Sequence, residues 1–470
     1  MIKFPFIGGT YPNEPELTFC TQRTVNLYPE HDPNYEEPLV LEGFPGYSLW
    51  TPLNDGPVRG SQKFKDHAIV VSKNVVYRVS KDGAARQVGS INTEAGRVSM
   101  DENGSQLMLV DGRDGWVWNG TTWQQITDST FTDTKADTVT HMDSYFIVNK
   151  PGTGSIWVSD SFDGLNWNSL RTATAEFKSD DVVAVWADRE LMLGGESTTQ
   201  IYYNSGASPM PFEAARQGRI IYGLAARDSV AILDNTSHFL AQDKNGGVFL
   251  ARSNGYSVER VSNRAWERTW SKYSNIKDAF AFAMQWGGHE WYVLTFDTAD
   301  HGFGRTFVYD ASTQLWFEVG IYRPSIGEFV KWKITSHVYL DGKHIVGDSD
   351  GNLNIVESDN YSFAGTTIIA LRRSNVIHQN RDRIFFNALE INMKTGLETS
   401  TVSDPRLMLD ISDDGGHTWK ERRYKSLAGH GANKYDVRAR FRRLGSSYDR
   451  VFQVSISDPV PRKFVSGFVE

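Results

Sequence analysis

Apolar and polar residues alternate with period two along most of this chain. The alternation comes in paired bursts separated by Gly, Asp or Asn turns. Seven pairs line up. They are DHAIVVSKNVVYRVS from Asp66, GSQLMLVDGRDGWVWN from Gly104, SYFIVNKPGTGSIWVSD from Ser144 and RELMLGGESTTQIYYN from Arg189. DSVAILDNTSHFLAQ follows from Asp228, EWYVLTF with RTFVYDAS from Glu290, and KHIVGDSDGNLNIVES from Lys343. Such alternation predicts half-buried strands, and the turn residues predict hairpins. The starts recur roughly every 40 residues with one longer gap, which is the length of a four-stranded propeller blade. A lone hairpin leaves its apolar face exposed, so several must stack around a common axis. The pattern predicts an all-β protein with a β-propeller of six or seven blades over residues 61–362.

The flanks read differently. From about residue 365 the strands lengthen: TTIIALRR, RIFFNALEINM, RLMLDISDDGGHTWKERRY, YDVRARFRRLG and RVFQVSISDPV, with FVSGFVE at the end. These predict a C-terminal β-sandwich over 363–470. Residues 1–60 hold nine of the 16 prolines and little periodicity. Such density predicts an extended N-terminal arm with few donors for a sheet, draped over another surface. Helical periodicity is confined to Asn263–Tyr273.

Composition narrows the class. Forty-one glycines and 14 tryptophans against a single cysteine suit a turn-rich β protein without a disulfide framework. Cys20, in the arm beside Phe19, reads as a buried thiol rather than a nucleophile. The first residues lack the apolar run of an export signal, and no stretch approaches a membrane span. Net charge is −8, yet residues 366–470 carry 18 Lys/Arg against 12 Asp/Glu, leaving −14 for the remainder. The basic clusters at Arg372-Arg373, Arg422-Arg423 and Arg438–Arg443 are either solvated strand faces or a docking surface for an acidic partner or DNA.

Candidate chemistry is sparse. Ser412–Trp419, SDDGGHTW, matches the Asp box of sialidase propellers. That motif is a hairpin turn: Asp414 accepts from backbone N–H groups, Gly415 and Gly416 take positive φ, and Trp419 packs beneath. In sialidases it lies away from the catalytic pocket, so it carries no activity. No phosphate loop, nucleophile elbow or HExxH pattern is present. Asp348–Asn352 and Asp111–Gly115 resemble the start of a calcium loop but are more economically hairpin turns. The prediction is no catalytic set, no metal and no cofactor.

Two stretches go further. Gln22–Pro29, QRTVNLYP, precedes Gly43–Gly46, GFPG; at the other end come Phe441–Gly445, FRRLG, and Arg450–Pro459, RVFQVSISDP. With GRVSM at Gly96–Met100 between them, they resemble the packaged-DNA stabilisation, or tail hub, proteins of short-tailed phages. The resemblance implies a non-enzymatic virion tail protein, made in the host cytoplasm, with no membrane binding. It implies a ring of copies, typically a hexamer, below the portal and its adaptor ring. Such a ring closes the head, retains packaged DNA that passes through it, and anchors the tail needle or fibres. The candidate interface residues it marks are Arg23, Asn26 and Tyr28 in the arm, and Arg442, Arg443, Arg450 and Asp458 in the sandwich. Local capping by Asn26 and Asp458, and a cross-strand acid partner for Arg450, are the competing roles. The alternative reading is a carbohydrate- or receptor-binding propeller, with a sialidase-like hydrolase behind it. Trp116, Trp118 and Trp123 are its sugar-stacking candidates, although the period-two spacing of the first two favours blade core.

Overall fold

The computed structural model describes residues 1–11, 22–31, 38–175, 180–379, 382–397, 402–420, 422–428 and 438–470, less the side chains of 300 and 301. Cys20 lies outside them. Seven four-stranded units follow one another around an axis, at 58–90, 99–125, 139–174, 182–220, 223–260, 280–323 and 334–357. We number them blades 1 to 7. First strands of neighbouring blades touch around the axis, blade 5 meeting blade 4 through Gly223–Leu224 and Leu191–Gly195, and the first strand of blade 7 meets that of blade 1, closing the circle. The paired bursts are the second and third strands of each blade, except in blade 5. There the burst from Asp228 falls on Ala231–Leu233 and Thr236–Gln242, one hairpin early. The longer gap after it holds the helix Arg264–Trp270, capped by Asn263, whose side chain accepts from the N–H groups of Ala265 and Trp266.

The middle strands are not half-buried, as the alternation predicts, but buried on both faces. Leu107 and Leu109 pack against blade 1, while Met108 and Val110, from the same strand, pack against blade 3. The period of two therefore sorts residues between two neighbours instead of between core and water. Seven apolar clusters lie one between each pair of blades, and an eighth fills the sandwich.

Blade 7 takes its fourth strand, Gly46–Pro52, from the other end of the chain, paired antiparallel to Asn352–Glu357. The strand enters beneath the loop at 360–362. A Cβ on Gly46 would lie 2.4 Å from the Ser362 carbonyl oxygen, so only glycine passes.

The first 45 residues are likewise not a draped arm. Ile2–Phe4, Leu27–His31 and Leu39–Gly43 join Lys463–Val469, Ile384–Met393 and Ala439–Ser447 in one sandwich sheet. Arg23–Val25 belongs to the other sheet, between Leu315–Arg323 of blade 6 and Ala370–Arg373. That sheet continues through Val451–Ile456 and Arg406–Ser412 to Arg423–Ser426, so blade 6 and half the sandwich form one ten-stranded sheet. The sandwich thus draws on both chain ends, with Phe4, Phe6, Leu27 and Leu41 packed in its core beside Leu389, Phe452 and Phe464. Proline does not prevent this, because Pro29 sits in Leu27–His31, an edge strand.

Candidate assembly interface

The residues marked in the N-terminal segment form the seam between the domains. Asn26 stands where the chain leaves one sandwich sheet for the other, fully buried at φ +54°. Its Nδ2 donates to the carbonyls of Gly320 and Ile369, both at 2.9 Å, and its Oδ1 accepts from Gly320 N at 3.0 Å. Asparagine is among the few side chains that tolerate this left-handed backbone, and here it bonds blade 6 and the strand entry to the sandwich at once. Arg23 makes a forked contact with Glu318, Nε to Oε1 and Nη2 to Oε2 each at 2.9 Å, and reaches Glu328 at 3.1 Å. Burial draws its pKa down, but the two carboxylates outweigh that and hold it above its ordinary value. Tyr28 donates to Glu42 at 3.2 Å and sets its ring edge-on to His289 and Trp291.

Two further groups complete the seam. His289, 5% exposed, is held between Glu30 at 2.9 Å and Asp310 at 2.8 Å. Burial alone would lower its pKa; the two carboxylates instead hold it up at about 9, so at neutral pH it is an imidazolium clasped by two anions. Arg372 is fully buried and meets no carboxylate among the described residues. It donates to the carbonyls of Phe6, Gly8 and Gly9, to Thr24 Oγ1 at 2.8 Å and to Gln22 Oε1 at 3.0 Å. Burial lowers its pKa to about 9. Its sequence neighbourhood reads as a basic surface cluster, and no local signal distinguishes it. It is hidden because the N-terminal segment covers its strand.

In the C-terminal part, Arg450 is also buried. Its Nε donates to Asp413 at 2.5 Å and its Nη1 to the Leu444 carbonyl at 3.0 Å, with the guanidinium over Phe386. Asp413 belongs to the Asp box, so this turn is anchored to the strand beginning at Val451. Within the box, Asp414 Oδ1 accepts from His417 N at 3.0 Å and Thr418 N at 2.8 Å, and Gly416 N donates to Ser412 Oγ at 2.8 Å. Hydrogen bonds from Ser412 and Thr418 keep the Asp414 carboxyl well below the usual range. Gly415 and Gly416 have φ +72° and +97°, and half-buried Trp419 stacks on Arg373. Asp458 accepts from Arg406 N at 2.8 Å, a contact between segments far apart in the chain and not a local cap. Of the seven marked residues, only Arg442 and Arg443 turn their side chains to solvent.

Much of the basic excess is likewise consumed internally. Arg422 pairs with Asp410, Arg440 with Glu470, and Lys463 with Glu42. Arg462 lies buried, donating to the Ile368 carbonyl. Arg438, Arg442 and Arg443 remain outward on one edge of the sandwich.

The propeller axis is crossed by side chains. Arg227 of blade 5 pairs with Asp137, at the start of blade 3, at 3.1 Å. Arg97, at the start of blade 2, donates to the Thr335 carbonyl of blade 7 at 2.9 Å and lies over Phe280 of blade 6. In each of these contacts the two blades are not neighbours, so both arginines reach across the propeller axis. Asp348 and Asp111 direct carboxylate oxygens at backbone N–H groups two to four residues on, as hairpin turns require. Trp116 and Trp118 lie in the core between blades 1 and 2, with Trp123 stacked on Trp116. Among the described residues no cluster of three or more His, Cys, Asp or Glu could hold a metal, and no helix is long and apolar enough to cross a membrane.

These features define a β-propeller fused to a β-sandwich through a seam of buried polar and charged side chains. Residues 2–361 match the family model described as bacteriophage P22 Gp10, beta-propeller, and residues 371–470 match bacteriophage P22 Gp10, beta-sandwich. The chain belongs to this family of phage structural proteins, and is therefore a virion component. No curated protein matches it. Solved propellers share the general fold at low similarity. The Pan2 WD40 domain of Neurospora crassa is 9% identical, with TM-score 0.43, covering 66% of this chain and 95% of that one. BamB from Moraxella catarrhalis is 10% identical, with TM-score 0.39, covering 70% and 94%. The WD40 propeller of Doa1 is 12% identical, with TM-score 0.40, covering 66% and 97%.

Proposed function

We propose that this chain forms the tail hub ring of a short-tailed phage, a hexamer docked below the portal and its adaptor ring. In that position it closes the head, retains packaged DNA and anchors the tail needle or fibres. The observation that carries the reading is the ten-stranded sheet shared by blade 6 and the sandwich, within a chain whose two halves both match the phage family. A part that must bear the pressure of packaged DNA needs its domains locked, and continuous strand pairing with a buried polar seam supplies that. The arginines across the propeller axis argue that DNA would travel between copies and not through any one propeller. An acidic ring wall would let DNA slide without sticking.

DNA-filled heads lacking this protein provide the test. Purified chain is added, the heads are sedimented, and bound protein and retained DNA are measured. Binding in a fixed multiple with better retention is expected. Absence of binding in the presence of the adaptor ring would overturn the reading.

A further inference from the structure

The sandwich ends, on the side away from the propeller, in two edge strands, Arg423–Ser426 of one sheet and Ala439–Ser447 of the other. Arg423 ties them, donating from Nη1 to the carbonyls of Arg442 at 2.9 Å and Arg443 at 3.1 Å. Arg438, Arg442 and Arg443 are exposed and make no ion pair among the described residues. Around them stand the exposed aromatics Phe385, Tyr424 and Tyr448, 71%, 58% and 56% accessible. Arginine and aromatic residues together are the side chains most enriched at protein interfaces.

The edge is also built against simple strand addition. Arg423 and Lys425 pair in register with the core residues Leu409 and Leu407, so their charged side chains share the inner face at the sheet margin. On the other edge, Arg443 at φ +58° and Gly445 at φ +77° break the register with Ile384–Met393. Inward charges and bulges are the usual means of keeping a sheet edge from pairing with another strand. A partner is therefore met by side chains, not by backbone. The charge of that partner is written in the same chain, since residues 46–365 carry 29 Lys/Arg against 38 Asp/Glu.

We propose that this arginine-rich edge seats on the acidic propeller of a second copy, making a head-to-tail contact between copies. The inference rests on the ring reading above and deepens it by naming the joining surface. Because the two surfaces differ, the contact is heterologous, the kind that closes into a ring when the rotation per copy permits.

Sedimentation velocity over a range of concentration and salt tests it, comparing wild type with the R442E/R443E double variant. Neither side chain has a partner among the described residues, so the melting temperature should be unchanged, and the R442K/R443K pair should assemble like wild type. Wild type should self-associate, less so at high salt, and the Glu pair at least about tenfold more weakly. Equal association of both would overturn this inference and leave the ring reading standing. So would a Glu pair that assembles normally but no longer binds a short DNA duplex, which would make DNA the occupant. A wild type that stays monomeric yet binds heads in a fixed multiple would overturn the contact between copies alone. Failure of both would remove the ring as well.

Discussion

The propeller and the sandwich use the same material, hairpins of alternating apolar and polar residues, but they are assembled in opposite ways. Six blades are built from contiguous chain, and each buries its apolar residues against the next blade in sequence. The sandwich collects strands from residues 2–43 and 370–469, and one of its sheets is a continuation of blade 6. Local assembly needs only apolar residues in the right period. Long-range assembly also needs the register of distant segments to be fixed, and buried polar groups do that here. Asn26, Arg372, Arg23 and the Glu30–His289–Asp310 clasp bond particular distant segments, so a slipped register would leave them unsatisfied.

The difference can be broken most sharply at Arg372. Arg372→Ala strands the carbonyls of Phe6, Gly8 and Gly9 and should cost about 4 kcal/mol, since each buried group left unpaired costs on the order of 1–3 kcal/mol. Urea unfolding should split into two transitions, the sandwich melting first, with a new protease-sensitive site near the N-terminus. A single unshifted transition would show that the seam does not hold the sandwich together.

The clasp comes next and gives a pH signature. The folded pKa of His289 is about 9 against an ordinary value near 6.5, so its stabilisation is complete below 6.5 and is lost as pH rises through 9. The loss should be on the order of 3 kcal/mol. Melting temperatures between pH 6 and 9.5 should fall for wild type, and much less for His289→Gln. Parallel curves would remove the clasp from the account.

Asn26→Ala should cost about 2–3 kcal/mol, from its lost hydrogen bonds and the strain of a left-handed alanine. Asn26→Gly, free of that strain, should fall less far in denaturant titrations. The smallest effect belongs to the Asp box. Asp414→Ala loosens one exposed turn and should cost about 1 kcal/mol, read as faster amide exchange between Ser412 and Lys420 with the blades unaffected. Protection lost across the propeller would mean the turn does more than close a hairpin.

How far the sequence could be read follows the same division. The recurring bursts located all seven blades, misplaced by one hairpin only in blade 5, where the first strand is split into Gly223–Leu224 and Ala231–Leu233. The Asp box was legible as a turn because its bonds are local. The arm was not legible as sandwich and blade. Three-residue strands such as Arg23–Val25 have too little length to show a period, and their partners lie some 300 residues away in sequence. For the same reason Arg372 reads as surface charge although it is buried, while Arg450, marked as an interface residue or the partner of an acid, is buried against Asp413. The residues of QRTVNLYP and GFPG proved to be the seam itself, with Phe44 enclosed by Trp291, Phe317, Trp332 and Phe363.

The sequence by itself determined the strands, their turns and the repeat that makes a propeller, because these depend on residues close together in the chain. Only the tertiary structure decided which end of the chain closes blade 7, which arginines are buried as fasteners, and which few remain at the sandwich edge. Those outcomes depend on which distant segment covers a given strand, and hydrophobic periodicity records that a face is covered without recording by what.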